Sequence, residues 1–207
     1  MDTATAAIPT IPGTPFAGGF FAGLINQADG LYAIVVAPKV KGQHKDCGWG
    51  AGAARAHLAS ARSFFDGRAN TESMVAAGSE LAQWVRSLTI GGFDDWYLPA
   101  RDELDLAYRN LKPTEETNLC LRGDNPSSVP VGYAYMPEAP AQTVAGAFRA
   151  GGAEAFDPVW YWTSTQYAGY EAYAWVQYFN NGNQHYGPKG LDARARAVRR
   201  VPFTTEG

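Results

Sequence analysis

An α+β fold, loop-rich, with helices in the front and middle of the chain and an antiparallel sheet supplied largely by its end, is what this sequence predicts, on three observations. Two stretches, Asn70 to Leu88 and the run after Trp96-Tyr97-Leu98-Pro99, carry apolar residues at helical spacing. From Pro158 onward, short aromatic and β-branched segments alternate with Gly, Asn and Pro. Gly (23), Tyr (11) and Trp (6) are abundant while only 18% of the 207 residues are charged, so order must come from aromatic packing more than from ion pairs.

Residues 1–15, rich in Pro and small side chains, cannot bury enough surface to fold alone and are expected to form a flexible arm; residues 16–207 read as one domain. "FAGGFFAGLI" and "GLYAIVVAPK", separated by Asn26 to Gly30, predict an antiparallel hairpin. Ala54, Leu58, Ala61 and Phe65 fall at helical spacing and predict a helix over 53–65. The next helix is expected over 70–88, with Asn70 as N-cap, Glu72 in the first turn, Met74, Leu81, Val85 and Leu88 on one face, and Gly91 and Gly92 stopping it. A further helix after Pro99 places Leu104, Tyr108 and Leu111 on one face, Asp102 and Glu103 in its first turn, and Pro113 at its end.

Residues 113–158 are rich in Pro, Gly and Ser, with a short helix expected at Thr143 to Ala150. Strands follow at "VWYWTST" and "AYAWVQYF", then a tight turn at Asn181-Gly182, where both residues tolerate positive φ, a polar stretch, and a last strand "RARAVRRV". In the strand from Tyr173, alternation sends Tyr173, Trp175, Gln177 and Phe179 one way and Ala174, Val176 and Tyr178 the other. Trp160, Trp162 and Trp175 read as packing anchors.

Composition also excludes. A net charge of −3 gives no field suited to nucleic acid, despite Arg194, Arg196, Arg199 and Arg200 near the end. Those arginines are expected to pair with Asp94, Asp95, Asp102 or Glu103 and brace the fold. No run approaches the roughly 18 apolar residues of a membrane span, and the first residues lack a secretory pattern, so synthesis in a cytoplasm without membrane insertion is expected. Cys47 and Cys120 have no metal-ligand spacing and read as free thiols. Cys47, Ser164, His44 and His57 sit in no recognisable nucleophile–base motif, and no acidic calcium loop is present, so no enzyme activity, cofactor or metal is expected.

"DDWYLPARDELDLAYRNL", "YWTSTQY", "AWVQYFNNGNQ" and "RARAVRR", in that order, resemble the signature of the C-terminal domain family of collagen-like bacterial adhesins. The resemblance covers roughly residues 16–202 and implies a C-type-lectin-like fold: N- and C-terminal strands side by side, two or three flanking helices, and a loop-bearing sheet that binds rather than catalyses. Similar domains end phage tail proteins and form the variable proteins of diversity-generating retroelements. The family commonly places Thr or Ser where Ala100 stands, which halves the capping box, at about 1 kcal/mol, and leaves Glu103 to the helix dipole.

By that similarity, ligand binding is carried to Tyr167, Tyr170, Glu171, Tyr173, Gln177, Gln184, His185 and Tyr186. Rigid amphipathic tyrosines among Asn, Gln and Gly offer contact area at small entropic cost. The resemblance implies a phage or prophage tail-associated protein recognising a bacterial surface protein or glycan. Its N-terminal arm would meet other tail proteins, a homotrimer would add avidity, and the virion tail would be its destination. The alternatives are a glycan-binding adhesin-like lectin, a retroelement-diversified binding protein and, last, an enzyme of the formylglycine-generating type.

Overall fold

The computed structural model describes residues 7–50, 57–121 and 123–203 and is a mixed helix-and-sheet fold built on two five-stranded sheets. The strands are β1 (Pro15–Phe16), β2 (Gly19–Gln27), β3 (Gly30–Val36), β4 (Gln43–Cys47), β5 (Ser128–Val129), β6 (Trp160–Gln166), β7 (Tyr173–Tyr178), β8 (Gln184–Pro188), β9 (Ala193–Arg196) and β10 (Val198–Pro202). The helices are α1 (Lys39–Gly42), α2 (Gly67–Ala76), α3 (Glu80–Arg86) and α4 (Arg101–Leu111).

One sheet runs β1-β2-β3-β10 with β5 also on β2; the other runs β4-β9-β6-β7-β8. β10 lies antiparallel to β3, so the two ends of the fold are neighbours. The stretch "RARAVRRV", expected as a single strand, serves both sheets. β9 joins β4 and, in parallel, β6; after Ala197 the chain crosses into the first sheet as β10. Ala197 is fully buried and ties the crossing, donating to Gly42 O at 2.8 Å and accepting from Ala37 N at 3.0 Å.

Alternation along β3 explains why there are two cores. Val35 faces a cluster with Leu81, Val85, Trp49, Trp96 and Trp162, which α2 and α3 cover. Ile34 and Val36 face a second cluster, with Leu104, Tyr108 and Leu111 of α4 and with Tyr161 and Phe179. Burying each such aliphatic side chain stabilises by about 1.5–3 kcal/mol relative to exposure. Trp162 is fully buried and its indole N–H reaches Cys47 O at 2.8 Å, Trp175 is buried, and Trp160 is partly buried and stacks on Tyr178.

Several expected elements differ. The 70–88 helix is two helices, broken where Gly78 adopts φ +80°, and Ser79 caps the second by accepting from Ala82 N. The first begins earlier, with Asp66 as N-cap. Asn70 is not a cap: it is buried, accepts from Ser63 N at 3.0 Å and donates to Ser63 O at 2.7 Å. Of the helix expected over 53–65, residues 53–56 lie outside the described residues and 57–65 are irregular, with a single turn at 59–60. Within Thr143 to Ala150 only Gly146–Phe148 turns, as a 3-10 segment. The polar stretch after Asn181-Gly182 is strand β8. The arm expected over 1–15 is joined to β2 near its end, where Gly13 N donates to Phe21 O and Phe21 N to Thr14 O.

The C-terminal arginines do brace the fold, with other partners than expected. Arg199 grips both oxygens of Asp95, at 2.6 and 3.0 Å; Arg196, fully buried, pairs with Glu154; Arg194 pairs with Asp157, and Arg200 with Asp66. Of the four expected acids only Asp95 takes one of them. Asp102 pairs instead with its neighbour Arg101.

Glu103 does much more than serve a helix dipole. Its carboxylate accepts from Ala100 N (2.8 Å), Gly67 N (3.1 Å), Tyr97 OH (2.8 Å) and Gln27 Nε2 (3.1 Å), joining α4, α2 and β2. Burial pushes that carboxyl up to about 7, while the Ala100 and Tyr97 donors pull the other way. Another orphan donor at the start of α4 is satisfied from a distant element: Thr165 Oγ1 on β6 accepts from Arg101 N, the first helical N–H, at 3.0 Å.

Candidate functional site

The end of the β6–β7 hairpin and the strand beside it build an aromatic face. Tyr167 N donates to Tyr173 O at 3.0 Å and Tyr173 N to Tyr170 O at 3.1 Å, so the loop closes tightly and fixes where its tyrosines project. In the β7–β8 register Trp175 lies opposite Tyr186, which puts an indole and a phenol on one side of the sheet. Tyr186 stacks on Tyr167 with centroids 3.9 Å apart and 12° between planes. Tyr173 meets the edge of Tyr186 at 5.9 Å, and Tyr170 lies 5.6 Å from Tyr173 and 6.0 Å from Tyr167. At 59% exposure Tyr170 is the ring most available to a partner.

Under this layer the buried Trp175 touches Tyr167 edge-on at 5.5 Å, and beyond it Phe64 at 6.0 Å. Arg101 lies over the Phe64 ring at 3.9 Å. The aromatic band therefore runs from Tyr170 and Tyr173 across Trp175 to Phe64. His185 stacks on Tyr186 at 4.7 Å and is exposed at one rim; Glu171 is exposed at another, 3.4 Å from His57.

Of the eight residues expected to contact a ligand, Tyr167, Tyr170, Tyr173 and Tyr186 are brought together, with Glu171 and His185 beside them. Gln177 and Gln184 share that side of the sheet but do not reach its surface and must be corrected: they are 1% and 4% exposed. They are register partners on β7 and β8, so both side chains leave the sheet on one side, and there α4 covers them. Their Nε2 groups donate to Asp105 Oδ1 at 3.3 and 2.9 Å, and Gln177 also reaches Tyr135 OH at 2.9 Å.

Asp105 is the hub of that interior network. Besides the two glutamines it accepts from Tyr135 OH, from Arg109 Nε at 2.7 Å and from Asn125 Nδ2 at 2.9 Å. Burial, with the Asp105 charge beside it, holds the Tyr135 phenol well above its usual value. Since Asn125 and Tyr135 belong to the 113–158 segment, this carboxylate fastens a long irregular stretch to α4 and to the sheet under the tyrosines. What alternation along one strand could not reveal was how far along that side of the sheet α4 would cover it.

Phe64, Phe65 and Arg101 were not anticipated as part of the face. A signal existed: two consecutive phenylalanines cannot both point into one core from an irregular segment, and both are 37% exposed. Among the described residues no three His, Cys, Asp or Glu side chains are grouped as metal ligands, and no helix is long and apolar enough to cross a membrane. Cys47 and Cys120 are both free.

Residues 40–199 match the family described as the Lcl C-terminal domain. No curated protein matches the chain.

Proposed function

This chain belongs to the Lcl C-terminal domain family, an adhesin-like binding domain, and from that premise we propose that it holds a cell-surface ligand on the face formed by Tyr167, Tyr170, Tyr173 and Tyr186. One observation carries the reading: phenols from β7, β8 and the loop between β6 and β7 converge on a single surface layer, Tyr170 exposed and Tyr167, Tyr173 and Tyr186 half-buried against one another, instead of entering the cores. Their backbone is pinned by the loop and strand hydrogen bonds, so little freedom is lost when a partner arrives. Flat phenol faces flanked by Glu171 and His185 suit a ligand with alternating apolar and hydroxylated surface, as on a glycan or an exposed protein loop.

Binding is the proposed activity, and catalysis is not part of it. A host-recognising phage tail is one setting for such a face, and an adhesin on a cell is the other; the face is the same in both. Purified protein applied to bacterial cells and to a glycan array tests the reading. Tyr170→Ala and Tyr186→Ala should remove most of the bound signal while the melting midpoint of the Tyr170 variant is kept. Equal binding by both variants and the parent chain would defeat it. Cells stripped of surface polysaccharide then separate a glycan from a protein ligand.

A further inference from the structure

A cavity of about 560 Å³ adjoins the aromatic band, lined by Arg62, Phe64, Phe65, Asp102, Pro126 and Ser127 among others. We propose that it takes a carboxylate carried on an apolar, aromatic body. This goes beyond the tyrosine face and does not depend on it.

The pocket wall is built, not loose. Ala61 O accepts from Gln166 N at 2.6 Å, Ser63 N and O are held by Asn70, Phe64 O accepts from Asp102 N at 2.7 Å, and Phe65 O accepts from Gln27 Nε2 at 2.8 Å. Asp66 N donates to Ser63 Oγ at 2.9 Å. A segment so tied to α2, α4, β2 and β6 keeps two phenylalanine rings half in water, at the apolar cost that a binding pocket recovers when filled.

Charge in the pocket is unbalanced. Asp102 is engaged at both oxygens, by the Arg101 guanidinium and by Ser127 Oγ at 2.6 Å, so its charge is already answered. Arg62 has no carboxylate partner among the described residues. Among the described residues its Nη2 meets the His57 ring, at 3.3 Å, and its buried Nε finds no acceptor. Glu171 answers His57 and not Arg62. A guanidinium without an acid, lining the same pocket as two half-exposed phenylalanine rings, selects for a carboxylate that can take its fork while the attached ring lies on Phe64 and Phe65.

The test uses the whole chain with 3-phenylpropionate as probe and 3-phenylpropionamide as its neutral twin, followed by saturation-transfer NMR. Saturable binding of the acid is expected, at least about tenfold tighter than that of the amide. Arg62→Gln should abolish the preference, Phe64→Ala should weaken both probes, and Tyr170→Ala should leave the acid bound. Circular dichroism melts establish that each variant is folded; Arg62→Lys, which keeps charge but not the fork, should fall between the parent and Arg62→Gln. Equal binding of acid and amide, no saturable binding of the acid, or an unchanged preference in folded Arg62→Gln each overturns the proposal. Loss of cell binding in Tyr170→Ala alongside retained probe binding shows the two sites failing separately.

Discussion

The phenol of Tyr186 lies flat on that of Tyr167, 3.9 Å between centroids, although they are 19 positions apart in the chain. β8 pairs with β7 to bring the first beside the loop that carries the second. A half-buried stack of this kind both stiffens the hairpin and leaves an outer edge for a partner. Tyr186→Ala should therefore cost about 0.5–1.5 kcal/mol of stability from the lost ring contacts. Tyr170→Ala, at the outer edge, should cost no more than about 0.5 kcal/mol yet lower surface binding about tenfold or more. Thermal melts beside a cell-binding titration check the pair.

Thr165→Val keeps the shape of the side chain but removes the oxygen that accepts from Arg101 N. The expected loss is about 1–2 kcal/mol, that of a missing N-cap, even though the residue belongs to a strand. Replacing Ala100 by Ser addresses a different donor, the Glu103 N–H, since Asp102 N already donates to Phe64 O, so its effect should add independently to that of Thr165→Val. Denaturant unfolding of the two variants and their combination measures this.

Asp105→Asn should be among the most damaging single changes, about 3–5 kcal/mol, because it leaves the Arg109 guanidinium without its buried carboxylate and turns an acceptor of several donors into an amide. Its mark should be local as well as global. Freed of Asn125 and Tyr135, the 113–158 segment should become the first site of limited proteolysis.

The thiols should differ sharply in reactivity. Burial pushes the Cys47 thiol up to about 12, and its Sγ donates to Ala193 O at 3.3 Å, so at neutral pH almost none of it is the reactive thiolate. Cys120 is exposed. Alkylation followed by peptide mass spectrometry should label Cys120 promptly and Cys47 only once the protein is unfolded.

Alkali should destabilise the fold. Burial holds Tyr97, Tyr108, Tyr135 and Tyr161 above the ordinary phenol value of 10.0. Above that pH the unfolded chain gives up these protons while the folded chain keeps them, so the folded state binds more protons and stability falls as pH rises past 10. In an alkaline titration their tyrosinate absorbance should appear together with loss of near-ultraviolet circular dichroism, not before it.

Much of this molecule was legible in the order of its residues. The apolar face of α4, the hairpin of β2 and β3, the Asn-Gly turn and the aromatic strands β6 and β7 all follow from spacing and turn chemistry, because those are short-range effects between residues a few positions apart. The four sequence blocks also led to the family. The tyrosines at 167, 170, 173 and 186 could be singled out, since a polar ring in a turn is marked by its neighbours.

Long-range packing settled the remainder. Gln177 differs from Tyr173 only in lying further along the same strand face, yet α4 covers the first while the second stays partly open to solvent. Glu103 and Asp105 look like ordinary helix acids until Gln27, Gly67, Tyr135 and Gln184 converge on them. The arginines could be seen to need acids, but Glu154 and Asp157 became their partners only through the path of an irregular segment. Local preferences are summed along the chain; which donors and rings meet across it depends on how the two sheets and their helices close around the cores, and there the protein placed both its hubs and its exposed aromatic face.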